Sequence, residues 1–342
     1  MASPKIFLTG ATGYIGGEGL YTIAHAHPDW QLSALVRSKE KAAQLSSKYP
    51  QIRVVLGDLD SVDIIAEEVK NADIVFNFAD CDHVTSAQAI AKGAQQHTPE
   101  QPLWLIHTSG TGILTVEDQR ANTIGIERPK EYNDWDGVSE LVNLPADALH
   151  RNVDEIILNA GKQNPSSVHT AIVCPPTIYG PGRGPVNTKS MQAYMLSSAV
   201  LSRGKGFLVG KGENVWHEVH VQDLSGVYLA LGDAAAAGGG KASWGDEGYY
   251  LAENGSFVWG DIQREVAKQA HLQGFITSSE VDMLDINEVK KCHPFGHYLW
   301  GTNSRGRAIR ARKLLGWNPQ KPRLIDLIPE IVALEAKELH LR

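Results

Sequence analysis

Lys5-Ile6-Phe7-Leu8-Thr9-Gly10-Ala11-Thr12-Gly13-Tyr14-Ile15-Gly16 is a short apolar run that breaks into a glycine turn, and helix-forming sequence follows from Gly17. Glycines let the backbone bend sharply, admit an anion close to it, and let strand and helix pack without an intervening Cβ. The free N–H groups at the helix start then face that anion. The stretch therefore reads as a phosphate-binding turn, although a tight strand-to-helix turn without a ligand has the same local look.

Working outward, β-branched and apolar runs recur at Lys5–Thr9, Leu32–Val36, Arg53–Leu56, Ile74–Ala79, Leu103–His107 and His169–Cys174. None alternates, as expected of parallel strands covered on both faces. Helical spacing appears between them, at Gly17–His25, Lys39–Lys48, Asp63–Val69, Ser86–Gln95 and Ala148–Ala160. Leu149, Val153, Ile156, Ile157 and Ala160 form one stripe of the last. The expected fold class is α/β, a doubly wound parallel sheet of Rossmann type.

After residue 180 the chain turns rich in glycine and proline, at Gly180–Pro185, Lys205–Gly212 and Ala234–Gly240, which marks a smaller second lobe woven into the first. Tyr249–Ala252 can return a strand to the sheet, and helical stretches follow at Asp261–Ala270 and Ser304–Leu315. The expected division is 1–180 with 224–254 as the nucleotide-binding domain, and 181–223 with 255–342 as the C-terminal substrate lobe.

The second strand ends at Val36-Arg37-Ser38, where an NAD-selective site would place an acid on the ribose 2′-OH. Arg37 there, with Lys39 or Lys41 nearby, favours a 2′-phosphate and hence NADP(H). Beyond the third strand, Asp58 is placed to read an adenine amino group or to cap a helix.

Together, TGATGYIGG, Gly57-Asp58-Leu59-Asp60, Asn77-Phe78-Ala79, Pro176-Thr177-Ile178-Tyr179-Gly180-Pro181-Gly182, His220-Val221-Gln222-Asp223-Leu224 and Ala311-Arg312-Lys313-Leu314-Leu315-Gly316-Trp317 resemble the extended short-chain dehydrogenase/reductases over nearly the whole chain. Sugar-nucleotide epimerases and dehydratases, dihydroflavonol reductases and NmrA-like proteins share this plan. The resemblance implies a cofactor held by Gly10, Thr12, Gly13, Tyr14, Ile15, Gly16, Arg37, Lys41, Asp58, Leu59, Phe78, Ala79, Thr108 and Pro175. It also implies a Ser/Thr after the fifth strand and a Tyr-x-x-x-Lys on the next helix. Here the serine position is Gly110, so Ser109 or Thr111 is expected to substitute in polarising the substrate oxygen, and the helix carries His150 and Asp154 in place of Tyr and Lys. The chain thus resembles the atypical members, among which are reductases and catalytically silent sensors.

Carbonyl reduction needs a proton donor beside the hydride. His150 and Asp154, four apart, would share a helical face, with the carboxylate raising the imidazole pKa; the alternative is a pair that only stabilises the helix. Tyr179, after the sixth strand, is the second donor, or a packed loop tyrosine. Asp80, Cys81, Asp82 and His83 mimic a metal cluster but lack a partner from elsewhere, so no metal is expected. Trp216–His220 reads as a strand, with Asp223 capping the helix after it.

The 112–147 insertion, with Tyr132 and Trp135, and the 293–305 loop, with His293, Phe295, His297, Tyr298 and Trp300, are expected to line the substrate pocket. Their aromatic content suits an apolar small molecule, while Arg183, Arg305 and Arg307 keep a sugar nucleotide in play. The expected function is an NADP(H)-dependent oxidoreductase acting on a carbonyl or activated double bond of a hydrophobic small molecule. Its alternatives are an NmrA-like redox sensor and an epimerase or dehydratase.

Acidic residues exceed basic ones by seven, 39 against 32, and the basic ones are scattered, which excludes the footprint of a nucleic-acid or anionic-lipid binder. Three distant cysteines without CxxC spacing argue against disulfides and a cysteine zinc site. With no signal-peptide pattern and no membrane-spanning run, a cytoplasmic location is expected. The resemblance is compatible with a homodimer.

Overall fold

The computed structural model describes residues 3–341. Strands β1 (Lys5–Thr9), β2 (Gln31–Val36), β3 (Arg53–Leu56), β4 (Ile74–Asn77), β5 (Leu103–Thr108), β6 (Val168–Cys174) and β7 (Tyr249–Leu251) form one sheet in the order β7-β6-β5-β4-β1-β2-β3. Every pairing in it is parallel. β4 and β5 are buried at every residue, so the apolar runs do not alternate. The strand order reverses between β1 and β4, and there the carboxyl ends of the strands part to leave a crevice.

Helices α1 (Tyr14–Ala26), α2 (Lys39–Lys48), α3 (Val62–Lys70), α4 (Val84–Ala94), α5 (Arg151–Gln163) and α6 (Val221–Ala236) supply the crossovers and covers. α3, α4 and α5 pack in succession as one layer, and α1 packs on α6 in another.

Helices Gln192–Arg203, Trp259–Leu272 and Leu324–Glu338 pack on one another around a second core that holds Phe207, Trp216, Trp259 and Trp300. Thr177–Tyr179 pairs in parallel with Val215–His220, which pairs antiparallel with Ser256–Val258. Among the described residues no helix is long and apolar enough to cross a membrane.

Three expectations need correcting. The 304–315 stretch is helical only over Arg310–Leu315, because Gly306–Arg307 pairs with Tyr132–Asn133. Ala308, Ala311 and Trp317, placed by sequence in the second lobe, pack into the first core, whereas Tyr179 packs into the second. Asp223 does not cap α6, since the helix begins at Val221 and the cap is the residue before it. His220 Nδ1 accepts from Gln222 N, while the Asp223 carboxylate receives Gln320 N at 3.1 Å and Lys321 N at 2.9 Å.

Candidate functional site

Gly10 has φ +70°, and a Cβ there would stand 2.6–2.7 Å from the Phe78 carbonyl and Ala79 N. A Cβ on Gly16 would overlap Gly10 O, so α1 is pressed against the end of β1 by the lack of side chains at both positions. No side chain caps α1 and no acid sits in its first turn, which leaves its first N–H groups to an anion. A cleft of about 690 Å³ opens at this turn. Gly10, Thr12, Gly13, Arg37, Lys41, Asp58, Leu59 and Ala79 line it as expected, joined by Asp80, His83 and Asn187. Size, uncovered amides and glycine cradle fit a dinucleotide, with Gly10 to Gly13 and the start of α1 as its diphosphate site.

Arg37 and Lys41 belong to no ion pair among the described residues. Asp58 accepts Ser61 Oγ at 2.8 Å and Asp60 N at 3.1 Å, which holds its carboxyl below the usual range; Ser61 occupies the α3 cap position.

The side chains of other residues expected at the cofactor pack around the cleft. Tyr14 Oη donates to Gly180 O at 2.5 Å, and Ile15 and Phe78 pack with the first core. Thr108 Oγ1 bonds Tyr228 Oη at 2.8 Å, and Pro175 O accepts Thr111 N at 2.9 Å.

The expected His150–Asp154 pair does not form. His150 stands before α5 with φ +65° and ψ −14°, off the helical path, so the four-residue spacing does not align the two side chains. Its Nδ1 meets Asp82 Oδ1 at 2.7 Å and Cys81 Sγ at 3.3 Å, both in the loop between β4 and α4. Burial opposes the imidazolium, yet hydrogen bonding and charge from Asp82 and Cys81 override it and push the pKa up to about 10. The same bond holds the Asp82 carboxyl below its ordinary value.

His150 thus supplies the distant partner that sequence did not find for this loop, and Cys81, Asp82 and His150 now converge as metal-ligand types. Bonds of 2.0–2.3 Å to a tetrahedral zinc would space ligand atoms by about 3.3–3.7 Å, wider than the 2.7 and 3.3 Å found, so the spacing suits a shared proton better.

Asp154 lies fully buried beneath, where its Oδ2 accepts Ser109 Oγ and Tyr249 Oη, each at 3.0 Å. Its Oδ1 faces His107 Nε2 at 3.6 Å, while His107 Nδ1 accepts from Asn77 Nδ2 at 2.9 Å. The position of the usual lysine therefore holds an enclosed carboxyl group, and Ser109 is committed to it rather than to a substrate. Thr111 Oγ1 is buried without a hydrogen-bond partner among the described residues.

Tyr179 is withdrawn from the site. Its strand joins the second lobe's sheet, the ring is fully buried, and Oη donates to Pro322 O at 2.8 Å. Burial pushes its hydroxyl pKa far up.

A second cavity of about 860 Å³ lies beside the His150 cluster. Ile124, Leu149, Met191, Met195, Leu299 and the rings of Phe295 and Tyr298 line it, with His293 and His297. Tyr132 and Trp135 are not in its wall. Tyr132 pairs into the small strand bridge, and Trp135 lies under Arg310 and Lys313. Trp300 is buried in the second core with Nε1 on Gln192 O. Arg183, Arg305 and Arg307 are spent on Glu18, Glu127 and Glu131, so Lys290 is the cation in the wall.

Sequence reasoning undervalued Tyr298. A Cβ on Gly112 would overlap its Oη and stand 3.1 Å from His150 Nε2, and one on Gly110 would also stand 3.1 Å from Nε2. Only the aromatic clustering of the 293–305 loop pointed toward it.

A family model described as NAD(P)H-binding matches residues 10–135. Oxidase ucsJ of Acremonium sp is 37% identical over 98% of this chain and 99% of its own length. The crystal structure of dTDP-glucose 4,6-dehydratase from Bacillus anthracis in complex with NAD has a TM-score of 0.67 at 14% identity, covering 99% of this chain and 98% of that one. UDP-glucose 4-epimerase of Thermotoga maritima, with UDP-glucose, has a TM-score of 0.62 at 13% identity, covering 98% and 99%. With a relative aligned end to end, the chain belongs to the family of oxidase ucsJ, with an NAD(P)H-binding match over residues 10–135 and the fold of the dehydratase and epimerase above.

Proposed function

We propose that the protein is an NADP(H)-dependent oxidoreductase that reduces a carbonyl, or an activated double bond, on a hydrophobic small molecule. One observation carries this: His150, with Nδ1 held by Asp82 and Nε2 without a hydrogen bond among the described residues, turns that Nε2 toward the point beside Gly112 that Leu149 and Tyr298 of the apolar cavity wall also approach. Arg37 and Lys41, unpaired at the cleft, support the 2′-phosphate and so NADP(H) over NAD(H). When bound, the nicotinamide supplies a hydride. Asp82 holds His150 protonated, and Nε2–H gives its proton to the substrate oxygen, in the role the family's tyrosine usually fills.

The apolar wall favours a hydrophobic substrate over a sugar nucleotide, whose diphosphate would find Arg183, Arg305 and Arg307 already paired. The NmrA-like sensor reading draws on the enclosed Asp154, which leaves no lysine to hold a ribose. Loss of NADPH absorbance with cinnamaldehyde, acetophenone and 2-decanone, for the wild type and His150→Ala, separates the two. Oxidation that falls at least about 100-fold in the variant supports the reductase. NADPH binding without turnover of any substrate supports the sensor, and equal rates in both proteins remove His150 as the donor.

A further inference from the structure

Tyr298 brings the second lobe to the reacting end of the site, and its environment is unusual for a tyrosine hydroxyl. It sits on the short helix Gly296–Gly301, its ring forms part of the apolar cavity wall, and Oη is buried without a hydrogen-bond partner among the described residues. A buried hydroxyl left unpaired costs stability, so a fold keeps one only where something else compensates or where a ligand completes it. Thr115 Oγ1, which lowers the Tyr298 pKa slightly from nearby, makes no bond of hydrogen-bond geometry to it and is itself held by donating to Gly112 O at 2.7 Å and accepting from Gln119 Nε2 at 2.7 Å. Burial pushes the Tyr298 pKa well up, so the hydroxyl stays a neutral donor.

The second observation is geometric. The point where Gly112 would carry a Cβ lies 3.1 Å from His150 Nε2 and closer still to Tyr298 Oη. The two donors are therefore no more than about 6 Å apart, a span that one oxygen bridges with two hydrogen bonds of about 2.8 Å. Gly110 and Gly112 keep that space open, because a side chain at either would crowd His150, and at Gly112 Tyr298 as well.

We propose that Tyr298 is a catalytic residue that donates a second hydrogen bond to the substrate carbonyl oxygen, opposite His150, an assignment that rests on the carbonyl-reduction reading above. As hydride adds to the carbonyl carbon, the C=O π pair moves onto oxygen. Tyr298 Oη–H and His150 Nε2–H stabilise that charge, and His150 transfers its proton to give the alcohol. Tyr298 ends the step still protonated. The family's serine and tyrosine are thereby replaced by a histidine from the first lobe and a tyrosine from the second.

Tyr298→Phe keeps the ring in the cavity wall and removes only the hydroxyl. With the most active of cinnamaldehyde, acetophenone and 2-decanone, kcat should fall about 100- to 1,000-fold while the NADPH dissociation constant stays within about twofold. The melting temperature should hold or rise, because an unpaired buried hydroxyl is lost; a merely structural tyrosine would lower it and leave kcat alone. Wild-type turnover that Y298F matches overturns the Tyr298 assignment by itself. Absence of wild-type turnover with all three carbonyls overturns the reductase reading and this assignment with it.

Discussion

Asp82→Asn removes the charge that keeps His150 protonated while leaving a side chain of the same shape. In the native protein the imidazole, only 12% exposed, has its pKa pushed up to about 10 by Asp82 and Cys81 against the effect of burial. Without the carboxylate, only Cys81 still opposes burial, and the pKa falls toward the free value of about 6.5. At pH 8 the native imidazole is about 99% protonated, and a variant at the free value would be about 3% protonated, so carbonyl reduction should drop by up to about 30-fold and recover as pH falls. Stability should follow. A raised folded-state pKa contributes stability that is whole below about 6.5 and is lost as pH rises through about 10, so the native melting temperature declines across that window. With less of the rise left in the variant, that decline should shrink. Two assays check this, the pH–rate profile and an NMR titration of the His150 ring. An imidazole that still carries its proton at pH 9 in D82N would refute the charge argument whatever the kinetics show.

Arg37→Ala should weaken NADPH binding about 10- to 150-fold by calorimetry, from the loss of about 1.5–3 kcal/mol of charge-assisted bonding, and leave NADH unchanged. A parallel loss for both cofactors would place Arg37 away from the 2′-phosphate. Tyr179→Phe, which severs the 2.8 Å bond to Pro322 O, should cost about 0.5–1.5 kcal/mol in urea unfolding with no change in kcat. Purified protein should carry under about 0.1 zinc per chain by plasma mass spectrometry, as the Cys81–Asp82–His150 spacing requires, and retain its activity after EDTA dialysis. Stoichiometric zinc lost in Cys81→Ser would reverse that assignment.

The sheet was legible in the chain because its inner strands are covered on both faces, so Lys5–Thr9 ends at the residue where its apolar run ends. The glycine turn was legible because close approach of backbones admits few residue types. What sequence could not supply lay in contacts over long separations. His150 and Asp82 are 68 residues apart, and the left-handed backbone at His150 breaks the helical spacing that pointed to Asp154. Tyr179 was misplaced because its three-residue strand joins Val215–His220 rather than ending a sheet strand in the crevice. Trp135 was misplaced because Arg310 and Lys313, far along the chain, cover its ring.

The void over Gly110 bears on how such a chain can change. A Cβ there would come within 3.1 Å of His150 Nε2 and 3.5 Å of its Cδ2, so a serine at 110 and a histidine at 150 compete for one volume. A serine placed at 110 while His150 stays would have to push the imidazole aside by a few tenths of an ångström, away from the geometry that holds it to Asp82.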